Sequence, residues 1–407
     1  MKRLFRLIIV VEAMTFVLAA CRHSPKSSSV SSGSIDVYDG IAVVELRGSW
    51  REMGAQYGRL AKLYLEDVLE FLDRKLAVTD ETSEGDRSSG YSSTPASEAA
   101  RQTGAEKASD IADKLFSNYP DYLKDFFDGM VETSGLSLDR LKLCNAVEYI
   151  EGCFFCSAMA MSGEYSSDGS LVFGRNYDAT SYAEIDKDVL VTVYHPDDGL
   201  SAATIGYAGE IYCVNGLNEK GIFLELNNGM PSAGSDIHWE MRPATTELFE
   251  LLFKAGTLDD VDAFFHSTRS ASSFIIGVAD ANEARLYEWC YDGVKRSDGQ
   301  TPDGLMLSTN HYVHPDWEYA VPTDADSWNS LARRANMLVR AEEYKGRTDV
   351  ETMKAIMSTP IDGGGPWHIH TRYQLVVKPA EMAVQMKVSC SENWVKLPLT
   401  RYLDSRQ

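Results

Sequence analysis

The spacing of apolar residues changes period at Cys156, and no other feature limits the fold as much. From Trp50 to Leu76 apolar side chains recur at helical spacing (Met53, Tyr57, Leu60, Leu63, Leu65, Val68, Leu72), and Ala108 to Met130 and Leu138 to Ile150 continue the pattern. After Cys156 the apolar residues fall into short runs: Cys156 to Met161, Leu171 to Phe173, Val189 to Tyr194, Ile211 to Val214, Ile222 to Leu226, Phe274 to Val278, Ala284 to Trp289, Leu305 to Ser308, Tyr373 to Val377 and Ala383 to Val388. Runs of this length, many joined by Asp-Gly or Asn-Glu-Lys-Gly turns, are predicted strands. Helical spacing returns at Thr245 to Lys254, Leu258 to His266, Ser327 to Tyr344 and Val350 to Met357. Two groups of strands with helices between them predict a layered α+β architecture. With 44% apolar residues, 36–407 suffices for one large domain, with a mostly helical leading portion, 36–155, and a strand-rich portion, 156–407. Thr79 to Glu106, rich in Ser, Thr, Gly, Glu and Asp, is predicted to be a mobile insertion.

The first residues form a basic head, Lys2, Arg3 and Arg6, followed by an apolar stretch from Leu7 to Leu18 and then Ala19-Ala20-Cys21. That stretch is shorter than the roughly 20 residues a bilayer span needs, so 1–20 is predicted to be a secretory signal. Val17-Leu18-Ala19-Ala20-Cys21 resembles the lipobox of bacterial lipoproteins, which implies an acylated Cys21 and a place in the bacterial cell envelope, with 21–35 as a polar tether. Losing residues 1–20 removes a net +2, so the charge of -21 becomes -23. Phosphates repel such a body, which excludes nucleic acid as a partner; membrane contact is expected through the lipid alone.

Six cysteines besides Cys21 are too few for a disulfide scaffold: Cys144, Cys153, Cys156, Cys213, Cys290 and Cys390. If Cys156 stays a free thiol, at least one of the others is unpaired as well. The segment Cys156 to Met161, a turn at Ser167-Asp168-Gly169-Ser170, and Leu171 to Asp178 predict a strand, a reversal and a returning strand that brings Arg175 and Asp178 beside the cysteine. A thiol with a pKa of about 8.5 needs a cation or a base to become a thiolate at neutral pH. Arg175 is the cation. With no histidine near Cys156 in sequence, the economical base is its own α-amine, with a pKa of about 7.7–8.0, once the Phe155-Cys156 bond is cut.

Cys156-Ser157 with Gly174-Arg175-Asn176-Tyr177-Asp178 resembles the cysteine N-terminal-nucleophile hydrolases, in particular the isopenicillin-N acyltransferase family, whose relatives include choloylglycine hydrolases and acid ceramidase. Further matches follow in order: Gly48 to Gly58, Asn215 to Gly221 leading to Asn227-Asn228, Ser308-Thr309-Asn310-His311, and Ser330-Leu331-Ala332-Arg333-Arg334. The resemblance implies an αββα sandwich of two antiparallel sheets between helical layers. It implies an amide hydrolase or acyltransferase acting on a small acyl-amide through a thioester, with no cofactor. Carried over, Cys156 is the nucleophile, Arg175 steadies the thiolate or substrate, and Asp178 orients the amine. Asn227 or Asn228 donates to the oxyanion, a contribution of about 2.7–4 kcal/mol per donor. Asn310 is a second polar positioner, and Arg333 or Arg334 completes the set. Self-cleavage at Phe155-Cys156 would leave 21–155 and 156–407 as a heterodimer.

Cys153 is the rival register for the nucleophile: it is followed by two phenylalanines, whereas Cys156 is followed by a hydroxyl residue that could assist the acyl shift. Cys153-Phe154-Phe155-Cys156 also has the spacing of thiol-disulfide oxidoreductases, a rival enzyme class that needs a compact βαβ setting. A catalytically inactive binding lipoprotein of the same fold is the third reading. His311, His314, His368 and His370 are expected at surface or packing positions rather than on a metal. Gly216 and Gly221 are expected at tight turns, and Met159 and Met161 in the core.

Overall fold

The computed structural model describes residues 28–30, 33–85, 104–151, 155–180, 182–325 and 327–403. The expected signal sequence, Cys21 and Cys153 lie outside the described residues. The leading portion opens on strands β1 (Ser28–Val30), β2 (Gly33–Tyr38) and β3 (Ile41–Gly48), then helices α1 (Trp50–Leu60), α2 (Lys62–Gly85), α3 (Gly104–Ser117), α4 (Asp121–Ser134), α5 (Leu138–Asn145) and α6 (Val147–Glu151). The rest carries β4 (Ser157–Met161), β5 (Val172–Asp178), β6 (Val189–Pro196), β7 (Ala202–Tyr207), β8 (Asn215–Asn218), β9 (Phe223–Asn228), the short α7 (Met230–Ala233), α8 (Ala244–Leu252) and α9 (Leu258–Ser267). It ends with β10 (Phe274–Ala279), β11 (Ala284–Cys290), β12 (Gly293–Arg296), β13 (Leu305–Ser308), α10 (Ser330–Glu343), α11 (Val350–Met357), β14 (Thr371–Lys378), β15 (Ala383–Val388), β16 (Val395–Leu397) and α12 (Leu399–Leu403).

Ten strands form one sheet, in the order β1-β2-β3-β6-β7-β8-β9-β10-β11-β12, and six form the other, β13-β4-β5-β14-β15-β16. Neighbours run antiparallel except β3 and β6, which pair in parallel with Ala42 opposite Leu190. Period-two alternation along β5 shows how the layers stack. Phe173, Arg175 and Tyr177 face the larger sheet, meeting Phe223, Glu225 and Tyr207. Asn176 faces the other way and donates to the Met357 carbonyl of α11. Met159 and Met161 are buried with Met337, Met353 and Ile356 between the smaller sheet and α10 and α11, as core rather than channel. On the far side, Phe265 of α9 stacks on Tyr287 of β11, and α1 packs on β3. The result is the expected αββα sandwich. Among the described residues no helix is long and apolar enough to cross a membrane.

Several expectations change. Ahead of its helices, the leading portion carries strands that the sequence reading did not include, with β2 and β3 forming a hairpin within the larger sheet. The polar tether likewise gives way to strand at 28–30 and from Gly33. Helix α2 runs to Gly85 and α3 starts at Gly104, so only 86–103 of the expected insertion lie outside the described residues. Ile211 to Val214 is irregular, and the strand is Asn215–Asn218. Gly216 therefore sits inside β8, where a Cβ would come within 2.2 Å of Leu252 Cδ1, so close packing requires it rather than a turn. Gly221, with φ +80°, does occupy the turn. A φ near that value suits glycine because it lacks a Cβ.

Helices α1 and α4 touch backbone to backbone. A Cβ on Gly54 would lie 1.9 Å from the Phe126 carbonyl oxygen, and one on Gly129 would lie 2.1 Å from that of Arg51. Adding a methyl group to such a contact forces the helices apart. Gly54→Ala is expected to lower the unfolding free energy by about 1–3 kcal/mol, read by urea denaturation. Arg59→Ala, on the exposed side of the same helix, should stay within about 0.5 kcal/mol.

Candidate active site

Cys156 enters the smaller sheet one residue before β4, and the bond from Phe155 N–H to the Asp178 carbonyl (3.0 Å) extends the β4–β5 ladder to it. The ladder sets Ala158 opposite Arg175, so the reversal expected from the sequence does bring Arg175 and Asp178 to the cysteine. The connection is longer than a two-residue hairpin: a 3-10 turn, Gly163–Tyr165, precedes the Asp168-Gly169 reversal. Cys156 is buried and free, as are Cys144, Cys213 and Cys290; Cys390 is in a disulfide. Burial pushes the Cys156 thiol up to about 11, opposed by the Arg175 charge, so the thiol of the intact chain is neutral.

Arg175 is wholly buried and bridges the two sheets. Its Nη1 donates to the Glu225 carboxylate and to Asn227 Oδ1, and its Nη2 donates to the Leu226 carbonyl (2.6 Å). Burial pushes Glu225 up to about 7 against the pull of Arg175. Asp178 accepts from Thr371 Oγ1 (2.6 Å) on Oδ1, while Oδ2 has no hydrogen-bond partner among the described residues and lies 3.8 Å from Arg333 Nη1. Burial raises Asp178 to about 6, with Arg333 and the Thr371 bond opposing. An orphaned oxygen on a buried carboxylate is a site for a hydrogen-bond donor.

Arg333, also fully buried, holds the cysteine in place through Nη1, which donates to the Cys156 carbonyl (2.6 Å). Its Nη2 donates to Asn310 Oδ1 (2.7 Å), and Asn310 Nδ2 donates to the Asn228 carbonyl (2.8 Å). Asn228 Oδ1 accepts from Met230 N–H (2.8 Å), which leaves its Nδ2 as a donor at the cavity holding Cys156. Asn227, by contrast, spends its amide on Ser308 and Glu225. Of the paired alternatives, Asn228 and Arg333 reach the cavity or the cysteine. Arg334 instead lies toward Glu288.

Cys156, Arg175, Asp178, Asn227, Asn228, Asn310 and Arg333 thus form one cluster. Ser157 belongs to the helix-facing side of β4, opposite the Cys156 side chain, which removes it as a helper at the thiol. Sequence reasoning missed Glu225 and Thr371. A charge between Leu224 and Leu226 in an otherwise apolar strand was the available signal for Glu225; Thr371 had none. His368 is brought close enough to feel the Arg333 charge, but burial lowers it to about 4 and its Nδ1 accepts from His370 N–H (3.2 Å). His311 is tied to Ser330 Oγ (2.8 Å). The described residues hold no group of three or more metal-ligating side chains.

Residues 165–355 match the family model of acyl-coenzyme A:6-aminopenicillanic acid acyl-transferase. Over that span, a little under half of its length, the chain is similar to that family. The matched span contains Arg175, Asp178, Glu225, Asn228, Asn310 and Arg333, and begins just after Cys156. A search of curated proteins finds no match. Among solved structures, a Caenorhabditis elegans N-acylethanolamine-hydrolyzing acid amidase ortholog is 16% identical, with a TM-score of 0.44 over 61% of this chain and 97% of that one. A conjugated bile acid hydrolase mutant from Clostridium perfringens is 12% identical, with a TM-score of 0.43 over 61% and 94%. Penicillin V acylase from Agrobacterium tumefaciens is 10% identical, with a TM-score of 0.38 over 62% and 89%.

Removing one partner of a buried ion pair strands the other. Arg175→Met is therefore expected to cost about 3–5 kcal/mol of stability in alkaline buffer, where Glu225 is charged. Without Arg175 the Glu225 carboxyl is raised further, so in the variant it takes up a proton, and the deficit shrinks, as pH falls toward about 7, and levels off below it. Urea unfolding of both proteins across that range checks the sign.

Proposed function

We propose that the protein is an N-terminal-nucleophile amide hydrolase or acyltransferase in which Cys156 attacks the acyl carbonyl. The observation that carries this reading is the buried Cys156 thiol at a cavity, flanked by Arg175 and by an Asp178 oxygen that has no hydrogen-bond donor among the described residues. In maturation, Sγ adds to the Phe155 carbonyl and the Phe155-Cys156 amide nitrogen leaves, giving a thioester. As it leaves, that nitrogen takes up the thiol proton and becomes the free Cys156 α-amine, and water then opens the thioester to a Phe155 carboxylate and the Cys156 thiol. The new ammonium meets the orphaned Oδ2 of Asp178, which orients it.

In turnover the amine takes the thiol proton and Sγ attacks the substrate carbonyl. Asn228 Nδ2 supplies a hydrogen bond to the oxyanion, with Asn310 and Arg333 holding the Asn228 and Cys156 backbones. The proton passes to the leaving nitrogen, the C–N bond breaks, and water or an amine releases the acyl group from sulfur. The same reading takes in a lipid anchor on Cys21 at the bacterial cell envelope, with 21–155 and 156–407 remaining one particle after cleavage. Pairing of β3 with β6 supports that last point, because it ties both pieces into one sheet. A redox role for Cys156 is disfavoured, since the thiol is free and adjoins an antiparallel strand pair rather than the compact βαβ setting that chemistry needs. A binding protein without catalysis would have no use for the buried cluster of charges around the thiol.

Cys156→Ala should abolish hydrolysis of chromogenic N-acyl amides, whereas Cys153→Ser should retain substantial activity; the opposite pattern would move the nucleophile to Cys153. Asp178 acts as a carboxylate, so activity should fall as pH drops through about 6. Thr371→Val removes a hydrogen bond to the charged form and should shift that acid limb to higher pH. An unmoved limb in a pH-rate profile would take Asp178 out of the mechanism.

A further inference from the structure

The cavity beside Cys156 has a volume of about 240 Å³ and is walled mainly by apolar groups, among them Val214, Leu226, Ile237 and Phe274. One side chain breaks that character. Glu148, from α6, lines the cavity, is only 9% exposed, and is the only acidic or basic side chain among the described residues of its wall. Tyr177 Oη donates to its Oε1 (2.6 Å), and Oε2 has no partner among the described residues. The nearby cation, Arg175, is already paired with Glu225. The other ionisable groups facing Glu148 are Glu210 and the tyrosines Tyr149, Tyr177, Tyr212 and Tyr373, none of which brings a positive charge. The cavity thus holds a buried carboxyl group and no counter-charge of its own, an arrangement that costs free energy unless the occupant supplies the missing donor.

We propose that Glu148 selects amide substrates whose acyl group carries a primary amine, which binds as an ammonium ion on Glu148 Oε2. This rests on the amidase reading of the same site. The acyl half is assigned to the cavity because it stays on Sγ through both half-reactions, whereas the leaving amine must depart and water or an acceptor must arrive. Tyr177, stacked on Tyr373 with ring centroids 4.5 Å apart, fixes the carboxyl group in position. Burial raises Glu148 to about 7, so an arriving ammonium also favours its ionised form.

The test compares two probes that differ only at the chain end, ε-aminocaproyl-p-nitroanilide and caproyl-p-nitroanilide. The wild-type enzyme should prefer the amino probe in kcat/KM by about tenfold or more, the range expected of a hydrogen bond to a charged group. In Glu148→Gln that ratio should collapse toward unity or invert. Independently of how the variant folds, n-hexylamine should inhibit the wild type at least about tenfold more tightly than n-hexanol. Turnover of both probes at equal efficiency, a ratio unchanged in Glu148→Gln, or equal inhibition by the two alkyl compounds would overturn the proposal while leaving the amidase reading intact. If neither probe acylates Cys156, as read by intact mass of the quenched enzyme, both readings fall together.

Discussion

The Arg175–Glu225 pair spans the gap between the two sheets with both side chains fully buried, and the rest of the site depends on it. Charges in a dry interior persist only when paired and hydrogen-bonded. Here the guanidinium reaches a carboxylate, the Asn227 amide oxygen and a backbone carbonyl on the facing strand, so it also fixes the register between the sheets. With Arg175 held from the larger sheet, its charge acts on a thiol carried by the smaller one. A second buried cation, Arg333, does the same work from the helical layer, tying the Cys156 carbonyl to Asn310 and through it to Asn228. The proposed nucleophile and the orphaned oxygen of Asp178 belong to the smaller sheet and the proposed oxyanion donor to the larger one, and two guanidinium groups locate all three.

The architecture accommodates a cut chain. Strand β3 pairs with β2 of its own portion on one side and with β6 on the other, so 28–151 contributes the edge of a sheet continued by the portion after Cys156. Helices α1 and α4, in contact through Gly54 and Gly129, cover that edge region. Phe155 stacks on Trp328 at 3.7 Å between ring centroids, which orders the residue whose carbonyl the thiol would attack. Cutting there severs the backbone just before β4 and leaves the pairing of β3 with β6 untouched.

Much of this was legible in the sequence because period carries it. Leu305 to Ser308, Ala383 to Val388 and Val350 to Met357 were read with the bounds they have. The hairpin β2–β3 was overlooked because Val37 to Leu46 shows a nearly unbroken apolar run after Ile41, and length alone does not separate a buried strand from a helix. Ile211 to Val214 looked like a strand and is an apolar loop, all four residues buried. The chemistry-bearing residues came from motifs, but the choices within them did not. Asn227 and Asn228 are adjacent, and only the alternation of β9 decides which one meets Arg175 and which one meets the cavity. Thr371 and Glu148 are ordinary in sequence and acquire their positions only through pairing across the chain.

In the proposed mechanism the base is the α-amine of Cys156, delivered to Asp178 when the chain opens at Phe155. Intact mass and N-terminal sequencing of freshly purified, fully active enzyme, paired with the rate measured on the same sample, test it most directly. Two associated chains are expected, the second beginning at Cys156, with activity rising in proportion to the cleaved fraction. Full activity from a chain still continuous across Phe155-Cys156 would contradict it.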